Sequence, residues 1–203
     1  MKRLGWMAAA VMLAAAGFSA WGWSAAPVGQ AAPDFTLTDI TGTAHKLSDH
    51  RGSYVVLEWF NPGCPFVRKH YFSDNMQKLQ RAYTGKGVVW WTINSSAAGR
   101  EGHQTPEEAA ATMKEWNGSP TAVFLDADGT VGRQFGAKAT PHMFVINPDG
   151  VLIYAGAIDN RRSPDQADIE GAVNYVQQTL DEAMAGRPIA VAQTDAYGCS
   201  VKY

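Results

Sequence analysis

The sequence contains few of the residues that build metal centres or disulfide scaffolds. Only two of its 203 residues are cysteines, too few for a disulfide-stapled domain or for a zinc or iron–sulfur site made of thiolates. None of its five histidines has another histidine three or four positions away. We therefore expect a protein without a metal or an organic cofactor.

The chain also lacks an excess of charge of either sign. Seventeen Lys and Arg residues stand against nineteen Asp and Glu residues, for a formal net charge of −2. An extended basic surface is therefore not available, which argues against nucleic acid as a partner. The 46% hydrophobic content and the lack of repeats in 27–203 are typical of one globular domain.

One long run without charge lies at the N-terminus. Met1, Lys2 and Arg3 precede an uncharged stretch at 4–23, and small residues follow at 24–26. This is the pattern of an export signal, so we predict a signal peptide at 1–26 and a periplasmic or extracellular body, where thiols meet an oxidising environment. The run is also long enough to span a bilayer, so an uncleaved membrane anchor is the alternative. We expect no other contact with a membrane.

Strands and helices are predicted to alternate along a domain at 27–186, followed by a tail at 187–203. A hairpin around Gly42 comes first, and a second hairpin turns at 147–150. The predicted strands are 54–60, 88–93, 121–125, 143–146 and 151–157, and the predicted helices are 64 to about 83, 106 to about 116 and 163 to about 185. This order predicts an α/β fold with a mixed central sheet, helices on both faces and an N-terminal hairpin extension.

Cys64 is predicted to lie at the start of a helix, directly after the most apolar strand. The first N–H groups of a helix have no intrahelical partner and the helix dipole is positive there, which favours a thiolate. Such positions lower a cysteine pKa from about 8.5 to roughly 3.5–7.5, so Cys64 is the candidate nucleophile. Arg68 is expected on the same helical face as a supporting cation, whereas Lys69 and His70 are expected to be solvated.

Glu58 interrupts the apolar run at 54–60. Burial there would raise its pKa toward the range useful for proton transfer, which makes Glu58 a candidate base or proton relay for Cys64. Two alternatives stay open: strand alternation carries Glu58 to a solvated rim, or it pairs with a lysine.

Several segments together resemble the redoxin group of the thioredoxin superfamily, in particular its peroxiredoxin-like branch akin to the alkyl hydroperoxide reductase/thiol-specific antioxidant proteins. They are residues 28–49, the stretch WFNPGCPFVRKHY at 59–71, Thr140-Pro141 and the turn at 147–150. The resemblance implies a thioredoxin-like fold, a cis-proline at Thr140-Pro141 facing Cys64, a buried acid at Glu58 and a position for His142 near Cys64. We expect the substrate surface to contain Trp59, Pro65, Arg68, Thr140, Pro141 and His142.

Two positions depart from the patterns of these families. Val67 stands where thioredoxins have the second cysteine of their C-x-x-C motif. Asn61 stands three residues before Cys64, where peroxiredoxins have Thr or Ser before their peroxidatic cysteine. The motif therefore matches neither an ordinary dithiol reductase nor an ordinary peroxidase.

Cys199 lies in the tail, which we expect to be mobile. An extended segment of about fifteen residues spans on the order of 45 Å, so Cys199 can return to Cys64. A disulfide between them would close a loop of about 135 residues and stabilise the fold by up to roughly 5 kcal/mol in the chain-entropy model. It would be a structural bond or a resolving step in turnover, and a free or buried Cys199 is the alternative.

These features predict an exported thioredoxin-fold oxidoreductase that acts through Cys64, with Cys199 as the resolving cysteine and Glu58 in proton transfer. Its antioxidant reaction would be thiol–disulfide exchange or thiol-dependent peroxide reduction, with a thiol- or disulfide-bearing protein or a peroxide as partner and an external reductant. The second hypothesis is a binding module that holds an extended polypeptide on the cis-proline face or traps mixed disulfides, because a lone thiol at a helix start does not complete exchange.

Overall fold

The computed structural model describes residues 26–203, so the predicted signal peptide, apart from Ala26, lies outside the described residues. The strands are β1 (Thr36–Thr38), β2 (Ala44–Lys46), β3 (Val55–Trp59), β4 (Val89–Asn94), β5 (Ala122–Leu125), β6 (Ala139–Thr140), β7 (His142–Ile146), β8 (Leu152–Gly156) and β9 (Cys199–Ser200). The helices are α1 (Pro65–Phe72), α2 (Asn75–Thr84), α3 (Pro106–Glu115), α4 (Thr130–Phe135) and α5 (Tyr175–Met184). Within 26–203, no helix has the length and apolar character needed to cross a membrane.

A mixed sheet of five strands in the order β5-β4-β3-β7-β8 forms the centre of the fold. The central strand β3 pairs in parallel with β4 and antiparallel with β7, and all five of its residues are buried. One core lies between the sheet and α1, α2, α3 and α5, and a second lies on the α4 side. The predicted fold is confirmed, including the N-terminal hairpin of β1 and β2.

The helix predicted from 64 to about 83 is two helices, α1 and α2. They are separated at Ser73 and Asp74, where Asp74 adopts a left-handed backbone with φ 58°. The Ser73 hydroxyl donates to the carbonyl oxygen of Lys69 at 2.7 Å. Ser and Asp side chains compete with helical hydrogen bonding in this way, which explains the break.

The last helix begins later than predicted. The capping sequence at 163–166 starts a short 3-10 helix, Gln166–Ile169, where the Asp165 carboxylate accepts from the backbone N–H of Ala167. Gly171 then takes a positive φ of 73°, and α5 starts only at Tyr175, capped by the side chain of Asn174. A glycine in a left-handed conformation separates the two segments that the sequence pattern joined.

The tail at 187–203 is packed on the domain, so the expectation that it is mobile is wrong. Its β9 pairs antiparallel with β6, and the backbone N–H of Thr194 donates to the carbonyl oxygen of Ala155 at 3.1 Å. The carbonyl oxygen of Lys202 accepts from Ala97 at 2.8 Å. These backbone hydrogen bonds fix the tail against the edge strand β8, the short strand β6 and the loop after β4.

Candidate functional site

Cys64 caps the N-terminus of α1, and Pro65 is the first residue of that helix. Only 1% of Cys64 is exposed. Its Sγ lies 3.0 Å from the carbonyl oxygen of Thr140, and the bond between Thr140 and Pro141 is cis. The structure thus has both the helix-start cysteine and the cis-proline opposite it.

Strand β9 brings Cys199 to Cys64. Cys199 is the residue opposite Thr140 in the β6–β9 ladder, the residue whose carbonyl oxygen lies 3.0 Å from the Cys64 Sγ. Both cysteines are free thiols in this structure. The second thiol therefore reaches the first through ordered strand pairing and not through a flexible tail.

The pKa values of the two thiols are shifted in opposite directions. Burial of Cys64 opposes its ionisation, but the neighbouring polar groups of Cys199, Thr140 and the Val67 backbone outweigh it and lower the Cys64 pKa. Burial and the neighbouring Cys64 raise the pKa of Cys199 to about 12. Cys64 is therefore the more acidic thiol of the pair, and Cys199 is the one that keeps its proton to higher pH.

Arg68 is exposed, and its Nε donates to the carbonyl oxygen of Pro62 at 2.8 Å. The guanidinium is thus held by the loop before Cys64 and is not a hydrogen-bond donor to the sulfur.

The expectation that Lys69 and His70 are solvated is wrong, since 1% of Lys69 and none of His70 is exposed. The loop after β8 covers this face of α1 and supplies acceptors. Lys69 Nζ donates to the carbonyl oxygen of Arg161 at 2.8 Å and lies 3.6 Å from Asp159 Oδ2. Burial, together with the charge of Lys69, lowers the pKa of His70 to about 3, so its imidazole is neutral.

This buried polar cluster also holds the tail. The Tyr197 hydroxyl donates to Asp159 Oδ1 and lies 3.5 Å from His70 Nε2. Tyr197 is two residues before Cys199 in sequence. We define Lys69, His70, Asp159 and Tyr197 as the anchor cluster, because it joins the helix that begins at Cys64 to the segment that carries Cys199.

Glu58 is fully buried, so neither a solvated rim nor a lysine partner applies to it. Four side chains donate to its carboxylate at 2.8 to 3.1 Å: Tyr71, Gln80, Trp90 and Thr92. Neither cysteine is among its hydrogen-bond partners, so the predicted proton relay is not formed by direct contact. Burial raises the pKa of Glu58, against the hydrogen bonds from these four donors.

We expect Glu58→Gln to flatten the pH dependence of stability without changing the acidity of Cys64. A raised folded-state pKa stabilises the protonated acid, so this contribution is complete below the ordinary pKa of Glu and is lost as pH rises toward the folded-state value. The glutamine amide can face the Tyr71 hydroxyl, which can also accept a hydrogen bond. Urea unfolding from pH 4 to 8 and the pH profile of Cys64 alkylation check this, and an altered alkylation profile would instead support a relay.

Trp59 and His142 do not line a substrate surface, and that prediction is wrong for both. They are opposite one another in the β3–β7 ladder, and both are buried on the sheet face away from Cys64, where they pack with Phe144. The Trp59 Nε1 donates to Ser95 Oγ at 3.0 Å. Alternate strand residues point to opposite faces, so neighbours of the site in sequence lie behind it in space.

The cis-proline face is not open either. Thr140 and Pro141 are buried, because β9 lies along β6. Of the six residues expected on the substrate surface, Pro65 and Arg68 are the exposed ones. Residues 26–203 contain no group of three or more His, Cys, Asp or Glu side chains placed to hold a metal ion.

Comparison with known proteins agrees with this geometry. Residues 28–155 match the AhpC/TSA family. The thiol-disulfide oxidoreductase ResA of Geobacillus kaustophilus (strain HTA426) is 29% identical over 69% of this chain and 78% of the relative. A crystal structure of an uncharacterized conserved protein from Geobacillus kaustophilus superposes with a TM-score of 0.76, at 27% identity over 87% of this chain and 92% of that one.

A second solved structure carries a functional description. A putative thiol:disulfide interchange protein DsbE from Chlorobium tepidum superposes with a TM-score of 0.53, at 27% identity over 64% of this chain and 85% of that one. The predicted resemblance is confirmed. The chain belongs to the AhpC/TSA family and is an oxidoreductase of the thioredoxin superfamily.

Proposed function

We propose that this protein is an exported thiol–disulfide oxidoreductase whose redox pair is Cys64 and Cys199. One observation carries the proposal: β9 places Cys199 opposite Thr140, and the Thr140 carbonyl oxygen lies 3.0 Å from the Cys64 Sγ, so the two cysteines are neighbours at the start of α1. The signal-like sequence at 1–26 supports export, and the ResA and DsbE names of similar proteins support exchange.

The pair exchanges two electrons with its partner. A partner dithiol reduces the Cys64–Cys199 disulfide and becomes a disulfide itself, and the reverse reaction reduces a partner disulfide. No other electron donor or acceptor enters either direction. Because Val67 replaces the second cysteine of a C-x-x-C motif, the tail supplies the second thiol from β9.

The binding-module hypothesis rested on a lone thiol at the helix start, and Cys199 removes that premise. Asn61 stands where peroxiredoxins have Thr or Ser, and its side chain makes hydrogen bonds that hold the loop before Cys64. Its Oδ1 accepts from the backbone N–H of Gly63 at 2.7 Å, and its Nδ2 donates to the carbonyl oxygen of Glu101 at 3.0 Å. We therefore measure peroxide reduction alongside thiol–disulfide exchange in the test below and do not propose it as a second function.

The test compares the wild type with Cys64→Ser and Cys199→Ser. We expect mild oxidation of the native wild type to consume both thiols within one chain, and we expect both variants to lose catalytic exchange with a dithiol peptide. Cys199→Ser should still form a mixed disulfide at Cys64, which mass spectrometry detects. Peroxide consumption is followed in parallel, and the N-terminus of protein recovered from producing cells reports cleavage of the leader.

Two results would contradict the proposal. One is a wild type that keeps two free thiols after oxidation. The other is full exchange activity in both variants. Fast peroxide consumption without exchange would instead favour a peroxidase.

A further inference from the structure

A groove outside the cysteine site lies where the C-terminal ends of α1 and α3 meet the start of α2. It opens to solvent and has a volume of about 460 Å³, within the range of ligand-binding pockets. Aromatic, carboxylate and amide side chains line it: Tyr71, Phe72, Asp74, Gln77, Glu115 and Trp116. We propose that this groove binds an arginine side chain of the partner polypeptide. The inference rests on the proposed function for the kind of partner, and it adds a recognition site to the redox pair.

Exposed aromatic surface is the first observation. Phe72 is 53% exposed, more than any other large hydrophobic side chain within 26–203. Its ring contacts that of Trp116, with centroids 5.0 Å apart. Exposed apolar patches mark binding sites, and aromatic rings attract cationic groups, of which arginine is the commonest in proteins. This wall of the groove therefore suits a cation on an apolar stem.

Gln77 is the second observation, because it lines the groove with an acceptor that has no protein partner. The residue is only 2% exposed. Its Nε2 donates to the carbonyl oxygens of Tyr71 and Trp116, at 2.7 and 2.5 Å. Its Oε1 accepts no hydrogen bond from the described residues. A buried acceptor without a donor is unfavourable, so the groove favours a ligand that donates hydrogen bonds.

Charge is the third observation. The described residues that line the groove include no Lys or Arg. Asp74 is paired with Arg81 at 2.9 Å and with Lys78 at 3.8 Å, whereas the exposed Glu115 forms no salt bridge within 26–203. Two of the three helix ends at the groove are C-terminal ends, which carry partial negative charge. A guanidinium stacks on aromatic rings and has five donors for separate acceptors, so arginine suits this set better than lysine.

The groove and the cysteine pair lie at opposite ends of α1. The helix has eight residues, a length of about 12 Å, and its exposed residues Pro65, Arg68 and Phe72 follow one face at helical spacing. Arg68 Nε donates to the carbonyl oxygen of Pro62, which holds its charge toward the cysteine end. An extended partner chain covers 12 Å in about four residues. A partner with an arginine about four residues from its reacting cysteine therefore reaches both sites.

Titration of the reduced wild-type protein tests binding without redox chemistry. The probe is the cysteine-free peptide acetyl-Gly-Arg-Gly-Gly-Ser-amide, and its control carries citrulline, a neutral analogue, in place of arginine. We expect the arginine peptide to shift the NMR signals of the Trp116 indole and the Gln77 side-chain amide, and to bind about tenfold more tightly than the citrulline peptide. Equal binding of the two peptides, or no saturable shift with either, overturns the inference.

Variants of exposed residues assign the site. Glu115→Gln and Phe72→Ala should each weaken binding of the arginine peptide about three- to tenfold. Glu107→Gln makes the same change of charge at the other end of α3, where Glu107 lies in the first turn, and should leave binding unchanged. Equal effects of Glu115→Gln and Glu107→Gln would show a general charge effect and overturn the assignment.

The rate of exchange tests the link to the redox pair. The oxidised protein is reduced by peptides with one cysteine and an arginine either four residues or one residue away. We expect the four-residue spacing to react about tenfold faster in the wild type and to lose this advantage in Phe72→Ala. Equal rates for the two spacings overturn the inference and leave the proposed function intact. No reduction by any of the peptides contradicts the proposed function, and the titration then decides the groove.

Discussion

Gly198→Ala is expected to release β9 from Thr140 and to slow formation of the Cys64–Cys199 disulfide about a hundredfold. Gly198 has φ 132°, a backbone conformation that residues with a Cβ rarely adopt. A Cβ there would also lie 2.0 Å from the carbonyl oxygen of Thr140 and 2.8 Å from its carbonyl carbon. These are backbone atoms of the cis-proline segment, so they cannot rotate away as a flexible side chain would.

The magnitude follows from the two costs together. A strained backbone residue costs about 1–3 kcal/mol, and the clash adds to it, so docking of β9 is disfavoured by about 3 kcal/mol or more, which is about a hundredfold in population. Cys64 loses its cover at the same time. We therefore expect slower disulfide formation with a limiting oxidant and faster alkylation of Cys64 by iodoacetamide.

Gly186→Ala is the matched control. Gly186 also has a positive φ, of 67°, but a Cβ there would meet nothing within 4 Å. This variant carries the backbone cost without the clash and lies after α5, away from the cysteines. Equal disulfide formation rates in the two variants would show that close approach of Gly198 to Thr140 does not hold the pair together.

Much of the fold was accessible from sequence because its signals are local. The apolar run at 54–60 predicted the central strand, and the cysteine followed by proline at 64–65 predicted the start of a helix. Periodicity and capping residues act over a few positions. The cis bond at Thr140-Pro141 was implied by the resemblance alone.

The rest depends on contacts between residues far apart in sequence. A two-residue strand such as β9 has no alternation pattern to detect. The sequence around Lys69 and His70 predicts a solvated pair, because the residues that contact them, Asp159 and Tyr197, are far away in sequence. Gly198 is one of twenty glycines, and only the approach of Thr140 distinguishes it from the others.

Asp159→Ala is expected to destabilise the fold by about 3–5 kcal/mol, the usual cost of removing one partner from a buried ion pair. Asp159 is 2% exposed, and its removal leaves the Lys69 ammonium buried with the carbonyl oxygen of Arg161 as its remaining acceptor. The Tyr197 hydroxyl loses its acceptor as well. Urea unfolding of the reduced protein measures the loss.

Two comparisons separate the buried charge from a general effect of losing a carboxylate. Asp195→Ala breaks the exposed pair between Asp195 and Lys138, whose charges are 3.6 Å apart, and should cost no more than about 1 kcal/mol. The double variant Lys69→Met with Asp159→Ala removes both buried charges and should be more stable than Asp159→Ala alone. A double variant at least as unstable as the single one would show that the ammonium is not left uncompensated.

Loss of Asp159 should also slow formation of the Cys64–Cys199 disulfide, because the anchor cluster joins α1 to the segment that carries Cys199. Tyr197→Phe removes only the hydroxyl that donates to Asp159 and should cost about 1–2 kcal/mol, yet it should slow formation of the Cys64–Cys199 disulfide in the same direction as Asp159→Ala. A cluster that served stability alone would leave that rate unchanged in Tyr197→Phe under conditions where the protein is fully folded. A reduced rate there would mean that the buried charges hold the second thiol in place for the first.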